Sequence, residues 1–381
     1  MATQRMRRAQ CLRAAVDEGD FPSNFEVTDG PVPELADPTH VLARPYVATI
    51  CLTDIKIATG HFERAELPRV LGHEGGVEIV EVGKRANRLR AEHGLAPLEE
   101  GQKAAMDPNV VCLKPECPYC RHGQTNFCST MYGIGVNSDG LFQEQLSIPA
   151  LQLDIVPEAV AHLAPFQELL ACVLHGYKKI RVGPGDKVII LGSGMSALCL
   201  LMLVRRHRPS MLVVTDLVQE RLDRAAQLGA THTVLFAGEQ SRQEQFDALW
   251  DIAGGADVVI EATGAKRSIE LALAGRERDE EWRMLIRKGG QILLFGISGD
   301  ELQGLNQEIW YLHGAAPQAS FIYNRGDFLE AQHLLVDLAD ELPPFIGSPH
   351  PLTTKGVREA FRVAKAGSFV GRTAIAPQRT E

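Results

Sequence analysis

Residues 187–221 constrain this chain more than any other stretch. They read KVIILGSGMSALCLLMLVRRHRPSMLVVTDLVQER. The β-branched and aliphatic run Val188, Ile189, Ile190, Leu191 enters Gly192-Ser193-Gly194-Met195-Ser196-Ala197. An apolar run of helical length follows, and a second strand signal ends on Asp216. Strand, glycine turn, helix, strand and terminal acid make one half of a dinucleotide-binding βαβ unit. Gly192 and Gly194 let the backbone turn tightly and approach a pyrophosphate. The helix that opens at Ser193 and Met195 points its N-terminal amides at that anion. Ala197 takes the third glycine position and still allows close helix–strand packing.

Asp216 lies 24 residues after Gly192, where an acid that binds an adenosine ribose is expected. A carboxylate there accepts from a 2′-hydroxyl and repels a 2′-phosphate. Leu217 follows in place of a phosphate-binding arginine, so the pattern favours NAD over NADP. The bland reading is an Asp that merely caps the next helix. Arg221 is a further cofactor candidate, or equally a solvated helix-face charge.

At 381 residues the chain is long enough for two domains with full cores. A net charge of −9 without a basic stripe argues against nucleic acid as a main partner. No apolar segment reaches membrane-spanning length, and MATQRMRRAQCLRAAV is basic without the apolar run of a secretory signal. These features predict a cytoplasmic enzyme. Four of the eight cysteines fall within seventeen residues, which in a reducing compartment points to metal rather than disulfides.

Up to about residue 160 the chain is rich in Gly and Pro, with short alternating strands such as 41–50 and 77–82, which predicts a barrel-like antiparallel domain. Beyond about 165, strand signals at 187–191, 211–216, 232–236, 257–261, 291–295 and 319–323 alternate with helical patterns, among them 218–228, 239–250 and 265–275. That alternation predicts an α/β doubly wound parallel sheet. A helix at 327–337, another after Pro343-Pro344 and a final strand near 372–376 form a tail too short to be a domain, which should return to the first one. The expected division is 1–163 with 325–381, and 164–324.

A second set of residues carries metal chemistry. Cys51 stands in ICLTDIK, His73 in GHEGG and Glu168 in QELLACVLHG. Cys, His and Glu are ligand types for a catalytic zinc that keeps one position open. Singly each has a plain alternative: a buried small hydrophobe, a turn residue, a first-turn helix acid.

Taken together, CLTDIKIATG, GHEGGVEIVEVG, the four-cysteine lobe, DGLFQEQ, QELLACVLHG, LGSGMSA, IEATGA and LLFGIS resemble the zinc-dependent medium-chain alcohol/polyol dehydrogenases along nearly the whole chain. The resemblance implies a GroES-like β-barrel catalytic domain plus a Rossmann domain, with zinc and NAD as cofactors. It implies Cys51, His73 and Glu168 as catalytic zinc ligands, with Cys172 as a competitor for the third place. Glu74 would exchange with Glu168 or water, and Asp54 would orient His73 from behind. Thr53 would begin a proton relay, and Lys56 would continue it, contact the cofactor ribose or lie in solvent. Cys117, Cys120 and Cys128 match three ligands of a structural-zinc lobe; Lys114 holds the usual fourth position, and Cys112 would return through the Pro115 loop to complete Cys₄. Thr263 with its neighbours Ala262 and Gly264, and Phe295-Gly296-Ile297, would line the cofactor, and Arg372 would reach the pyrophosphate or stay a surface cation.

Residues 84–99 read as an added surface loop. The implied reaction transfers a hydride between NAD(H) and a secondary alcohol or ketone, with a polyol, cyclitol or amino alcohol as substrate, in a homodimer or homotetramer. The alternatives are primary alcohol/aldehyde activity and a catalytically inactive zinc- and nucleotide-binding sensor.

Overall fold

A computed structural model describes residues 5–17, 19–62, 64–236, 240–278, 281–367 and 369–379. The chain forms two compact units, Met1–Ala171 with Asn324–Glu381, and Cys172–Tyr323.

In the first unit a seven-stranded sheet is built around His40–Thr49, buried at seven of its ten positions. Glu74–Val82 pairs with it antiparallel, with Thr49 opposite Glu74. Leu146–Pro149 pairs along its first half, and Ala374–Ala376 closes beside its end, Ala374 opposite Thr49. The C-terminal tail thus brings Arg372 back to the place where His40–Thr49 ends. Val41, Ala43, Val77, Ile79, Met106, Ile148 and Ile375 form the apolar interior together with Phe142 and Phe361.

Residues 84–99 are not a plain loop. They carry the helix Ala86–Glu92, and Arg90 on it is 2 % exposed. Its guanidinium donates to the carbonyls of Ala96 and Ala150 at 2.6 Å and of Leu153 at 2.7 Å. Burial pulls the Arg90 pKa down to about 10, with Asp154 opposing the fall. The insertion is therefore pinned to the sheet by one cation that satisfies three carbonyls.

The second unit is a six-stranded parallel sheet in the order His232–Leu235, Met211–Asp216, Lys187–Leu191, Ala256–Glu261, Ile286–Leu294, Gln318–Ala319. Its strand order reverses beside Lys187–Leu191, which creates the crevice where such sheets bind ligands. The helix Met195–Val204 is buried at nine of its ten positions, as its unbroken apolar sequence demands. The helix Arg242–Ala253 starts later than the pattern at 239–250 because Ser241 and Glu244 form a capping box, and Gly254 at φ +60° stops it; residue 239 lies outside the described residues. An antiparallel hairpin, Arg276–Arg278 with Glu281–Arg283, precedes the fifth strand. Its polar, charged sequence carries no apolar alternation by which it could be recognised. The last strand is Gln318–Ala319, shorter than the 319–323 signal.

The three carbonyls beneath Arg90 give a direct test. Arg90→Ala leaves them without a donor in a buried site and should cost about 2–4 kcal/mol, read as a lowered urea midpoint. A midpoint unchanged from the parent would show that the insertion is not anchored there.

Candidate active site

The sheet register delivers the metal-ligating side chains. Because Thr49 faces Glu74, the residues just beyond each strand end, Cys51 and His73, meet although 22 positions separate them. One ligand atom from each of Cys51, His73 and Glu74 lies within 4.8 Å of the others.

Asp54 ties the group together. It is fully buried on the helix Leu52–Ala58, and its Oδ2 accepts the Cys51 N–H at 2.9 Å. Its Oδ1 accepts the Gly72 N–H at 3.1 Å and lies 3.3 Å from His73 Nδ1. Gly72 adopts φ +98°, and an added Cβ would come within 2.8 Å of the Phe142 ring, so both backbone and space require glycine at this corner. With Nδ1 facing the carboxylate, Nε2 is the nitrogen left for a metal. Burial disfavours the imidazolium, but the Asp54 charge and hydrogen bonding to Asp54 and Cys51 outweigh it and hold His73 well above its usual pKa.

Glu74 is buried and gripped at both oxygens. Thr49 Oγ1 donates to Oε2 at 2.7 Å, and Arg372 Nη2 donates to Oε1 at 2.8 Å. Glu168, the acid expected as the third ligand, lies outside the 4.8 Å set. Glu168 still belongs to the same charged neighbourhood. Burial pushes its carboxyl up to about 7, Glu74 adds to the rise, and His73 and Arg372 oppose it. Next to it, fully buried Gln167 anchors the helix Phe166–Tyr177 by donating to Asp154 Oδ2 at 2.6 Å and the Phe328 carbonyl at 3.1 Å. A thiol, an imidazole and two mutually repelling carboxyls form a donor set that a divalent cation would relieve. The residues fit zinc.

Thr53 Oγ1 stands 3.9 Å from Cys51 Sγ, beside the cluster. Lys56 follows on the same short helix, half-buried. Arg372 Nη2, on the returning tail, bonds Glu74 Oε1.

The cysteine lobe closes on itself. Ligand atoms of Cys112, Cys117, Cys120 and Cys128 lie within 4.8 Å of one another, with Cys112 Sγ 3.7 Å from Cys120 Sγ and 3.6 Å from Cys128 Sγ. Zinc–sulfur bonds of about 2.3 Å in a tetrahedron put sulfurs about 3.8 Å apart. Leu113 at φ +49°, a costly conformation for a leucine, turns the chain so that Cys112 reaches the group despite Lys114.

In the second unit Gly192 takes φ +99°, and an added Cβ would strike Thr263 Cγ2 at 2.6 Å. A Cβ on Gly194 would meet nothing within 4 Å, which leaves open space at the N-terminus of Met195–Val204 where a pyrophosphate fits. Asp216 closes the neighbouring strand, with Arg221 Nη1 3.9 Å from its Oδ1. Glu261, which the motif reading passed over inside IEATGA, is fully buried. Its Oε1 accepts the Thr263 N–H at 2.9 Å and the Gly264 N–H at 3.2 Å. Its backbone carbonyl accepts from Phe295 at 2.8 Å and from Gly296 at 3.1 Å, which binds the Thr263 and Phe295 loops to one residue. Ile297 beside them is exposed.

Family models match two parts of the chain. The alcohol dehydrogenase GroES-like domain covers residues 37–158, and the zinc-binding dehydrogenase model covers 198–337. L-galactonate-5-dehydrogenase of Escherichia coli is 33% identical over 67% of this chain and 68% of its own. D-arabitol-phosphate dehydrogenase of Enterococcus avium is 27% identical over 89% and 90%. The crystal structure of galactitol-1-phosphate dehydrogenase from Escherichia coli superposes with a TM-score of 0.78 at 19% identity, covering 98% of this chain and all of that one, a likeness of fold.

Asp54→Asn keeps the shape of the support but removes its charge. It should lower zinc affinity about 10–100-fold, measured by competition with a chromophoric chelator. Parent-like affinity would remove Asp54 from the metal centre.

Proposed function

Because this chain belongs to the zinc-dependent medium-chain alcohol/polyol dehydrogenase family, we propose that Cys51, His73 and a carboxylate drawn from Glu74 and Glu168 hold its catalytic zinc. The chain is an oxidoreductase that uses zinc and a nicotinamide dinucleotide. The observation that carries the site assignment is the convergence of Cys51, His73 and Glu74 beside the Thr53 hydroxyl. Cys112, Cys117, Cys120 and Cys128 hold a second, structural zinc.

Bound zinc supplies Lewis-acid polarisation that lowers the pKa of an alcohol hydroxyl, and the bound nicotinamide accepts the hydride. The protein's own residues prepare for that chemistry. Asp54 fixes the His73 ring and the start of the helix that carries Cys51. Thr49 and Arg372 hold Glu74 as a second carboxylate beside Glu168, so the third ligand position can pass between two acids. Thr53 Oγ1 takes the alcohol proton as it passes on its own hydroxyl proton, and Lys56, three residues further on the same helix, continues the relay when its amine is neutral. Glu261 holds the Thr263 and Phe295 loops at the nicotinamide side of the dinucleotide site.

The substrate class is a polar secondary alcohol or its ketone: a polyol, cyclitol or amino alcohol. Glu168 and the sugar-acid and sugar-alcohol names of the relatives, L-galactonate, D-altritol and D-arabitol phosphate, support it. NAD is the preferred cofactor, because Asp216 opposes a 2′-phosphate. Among the described residues no helix is long and apolar enough to cross a membrane, and no disulfide joins the cysteines. We infer a cytoplasmic homodimer or homotetramer, in keeping with thiols that persist where the compartment is reducing.

Cys51→Ala should abolish turnover across a panel of polyols, cyclitols, amino alcohols and simple alcohols. It should leave NADH affinity intact and reduce the zinc content from two ions per chain to one. Normal turnover in that variant would refute the site, and a parent chain with one zinc, tight NADH binding and no turnover on any alcohol would favour the sensor reading.

A further inference from the structure

Asp216, the acid that ends the second strand of the parallel sheet, already receives four hydrogen bonds from its own chain. Oδ2 accepts both the backbone N–H and the side-chain hydroxyl of Ser193, each at 2.8 Å. Oδ1 accepts the N–H of Leu217 at 2.8 Å and of Val218 at 3.0 Å. The side chain of Asp216 is 9 % exposed, and Ser193 is fully buried.

A carboxylate offers about four lone-pair sites. All four on Asp216 are taken, so a ribose hydroxyl can bind there only by replacing a donor. Three of the donors are backbone amides, fixed by the Gly192–Gly194 turn and by the entry to the helix Gln219–Gln227. Moving any of them would require the backbone to shift. The fourth, the Ser193 hydroxyl, swings away by rotation about one bond.

We propose that the Ser193 hydroxyl occupies the ribose-binding site on Asp216 and acts as a built-in competitor of NAD, setting its affinity. The inference rests on the reading of Asp216 as the acid that binds the adenosine ribose. Binding then trades one hydroxyl donor for another, so the ribose contact adds little net affinity. The 2′-phosphate of NADP is repelled by the carboxylate and keeps its ribose away from Asp216, so NADP gains little when the hydroxyl leaves. Ser193 therefore tunes NAD affinity without acting on NADP, a selectivity that a merely structural serine would not produce.

The test measures the Kd of NADH and of NADPH by fluorescence titration of the zinc-loaded protein. In Ser193→Ala the NADH Kd should fall about three- to tenfold, the equivalent of one net hydrogen bond. The NADPH Kd should not fall, so the preference for NADH widens. Ser193→Cys, with its weak S–H donor, should fall between parent and alanine, and it carries the test if the alanine variant does not fold. An NADH Kd unchanged or raised in a folded Ser193→Ala protein overturns the competition, as does an equal change for both cofactors. Asp216→Ala separates the two layers. If it weakens NADH binding and cancels the gain in the double variant, the competition runs through that carboxylate. If it leaves the NADH Kd unchanged, the ribose reading itself falls. If it weakens NADH while Ser193→Ala brings no gain, only the competition falls.

Discussion

The catalytic half of this protein depends on one buried carboxylate. Asp54 has no exposure, and its two oxygens meet the Cys51 amide, the Gly72 amide and the His73 ring. An ionised carboxylate is costly to bury without such partners. The same three contacts fix the first turn of Leu52–Ala58 against the Gly72–His73 corner. Two side chains far apart in sequence are therefore held to one geometry before any ion arrives. That rigidity, as much as the identity of the ligands, is what the proposed metal site requires.

The acids around the site divide the remaining work. Glu74 faces the cluster but is restrained by Thr49 and Arg372. Glu168 shares the same electrostatic neighbourhood, its carboxyl pushed up to about 7 by burial, with Glu74 adding to the rise. Neither acid can approach a cation without altering the electrostatics of the other. This coupling suits a reaction in which one coordination position must open and close as substrate comes and goes. Arg372 bonds one of these acids, and it reaches Glu74 because the C-terminal strand Ala374–Ala376 lies against Thr49.

Much of this was legible in the sequence, for physical reasons. The doubly wound sheet announces itself through strand-length apolar runs, the Gly192–Gly194 turn and the acid at 216, since each follows from local chain geometry. The four cysteines are equally plain, because thiols concentrated in a short segment have few other uses in a reducing setting. How closely Glu74 approaches Cys51 and His73 was not legible: strand register between residues 49 and 74 brings it into one tight group with them, beside the Glu168 that the motif offered. The Arg372–Glu74 bond was not legible for a related reason, since only the tertiary return of the tail brings the two together. Residues 84–99 looked like a loop because a buried arginine satisfying three carbonyls leaves no apolar periodicity. The bond between Ser193 and Asp216 likewise joins two motifs that sequence could only place side by side.

The most direct test of the central claim is a crystal of the zinc-loaded protein measured on both sides of the zinc absorption edge. Two anomalous peaks per chain are predicted, one within bonding distance of Cys51 Sγ and His73 Nε2 and completed by Glu74 or Glu168, the other enclosed by Cys112, Cys117, Cys120 and Cys128. A zinc-replete crystal with no peak between Cys51 and His73, or with His73 turned away from Asp54, would contradict it.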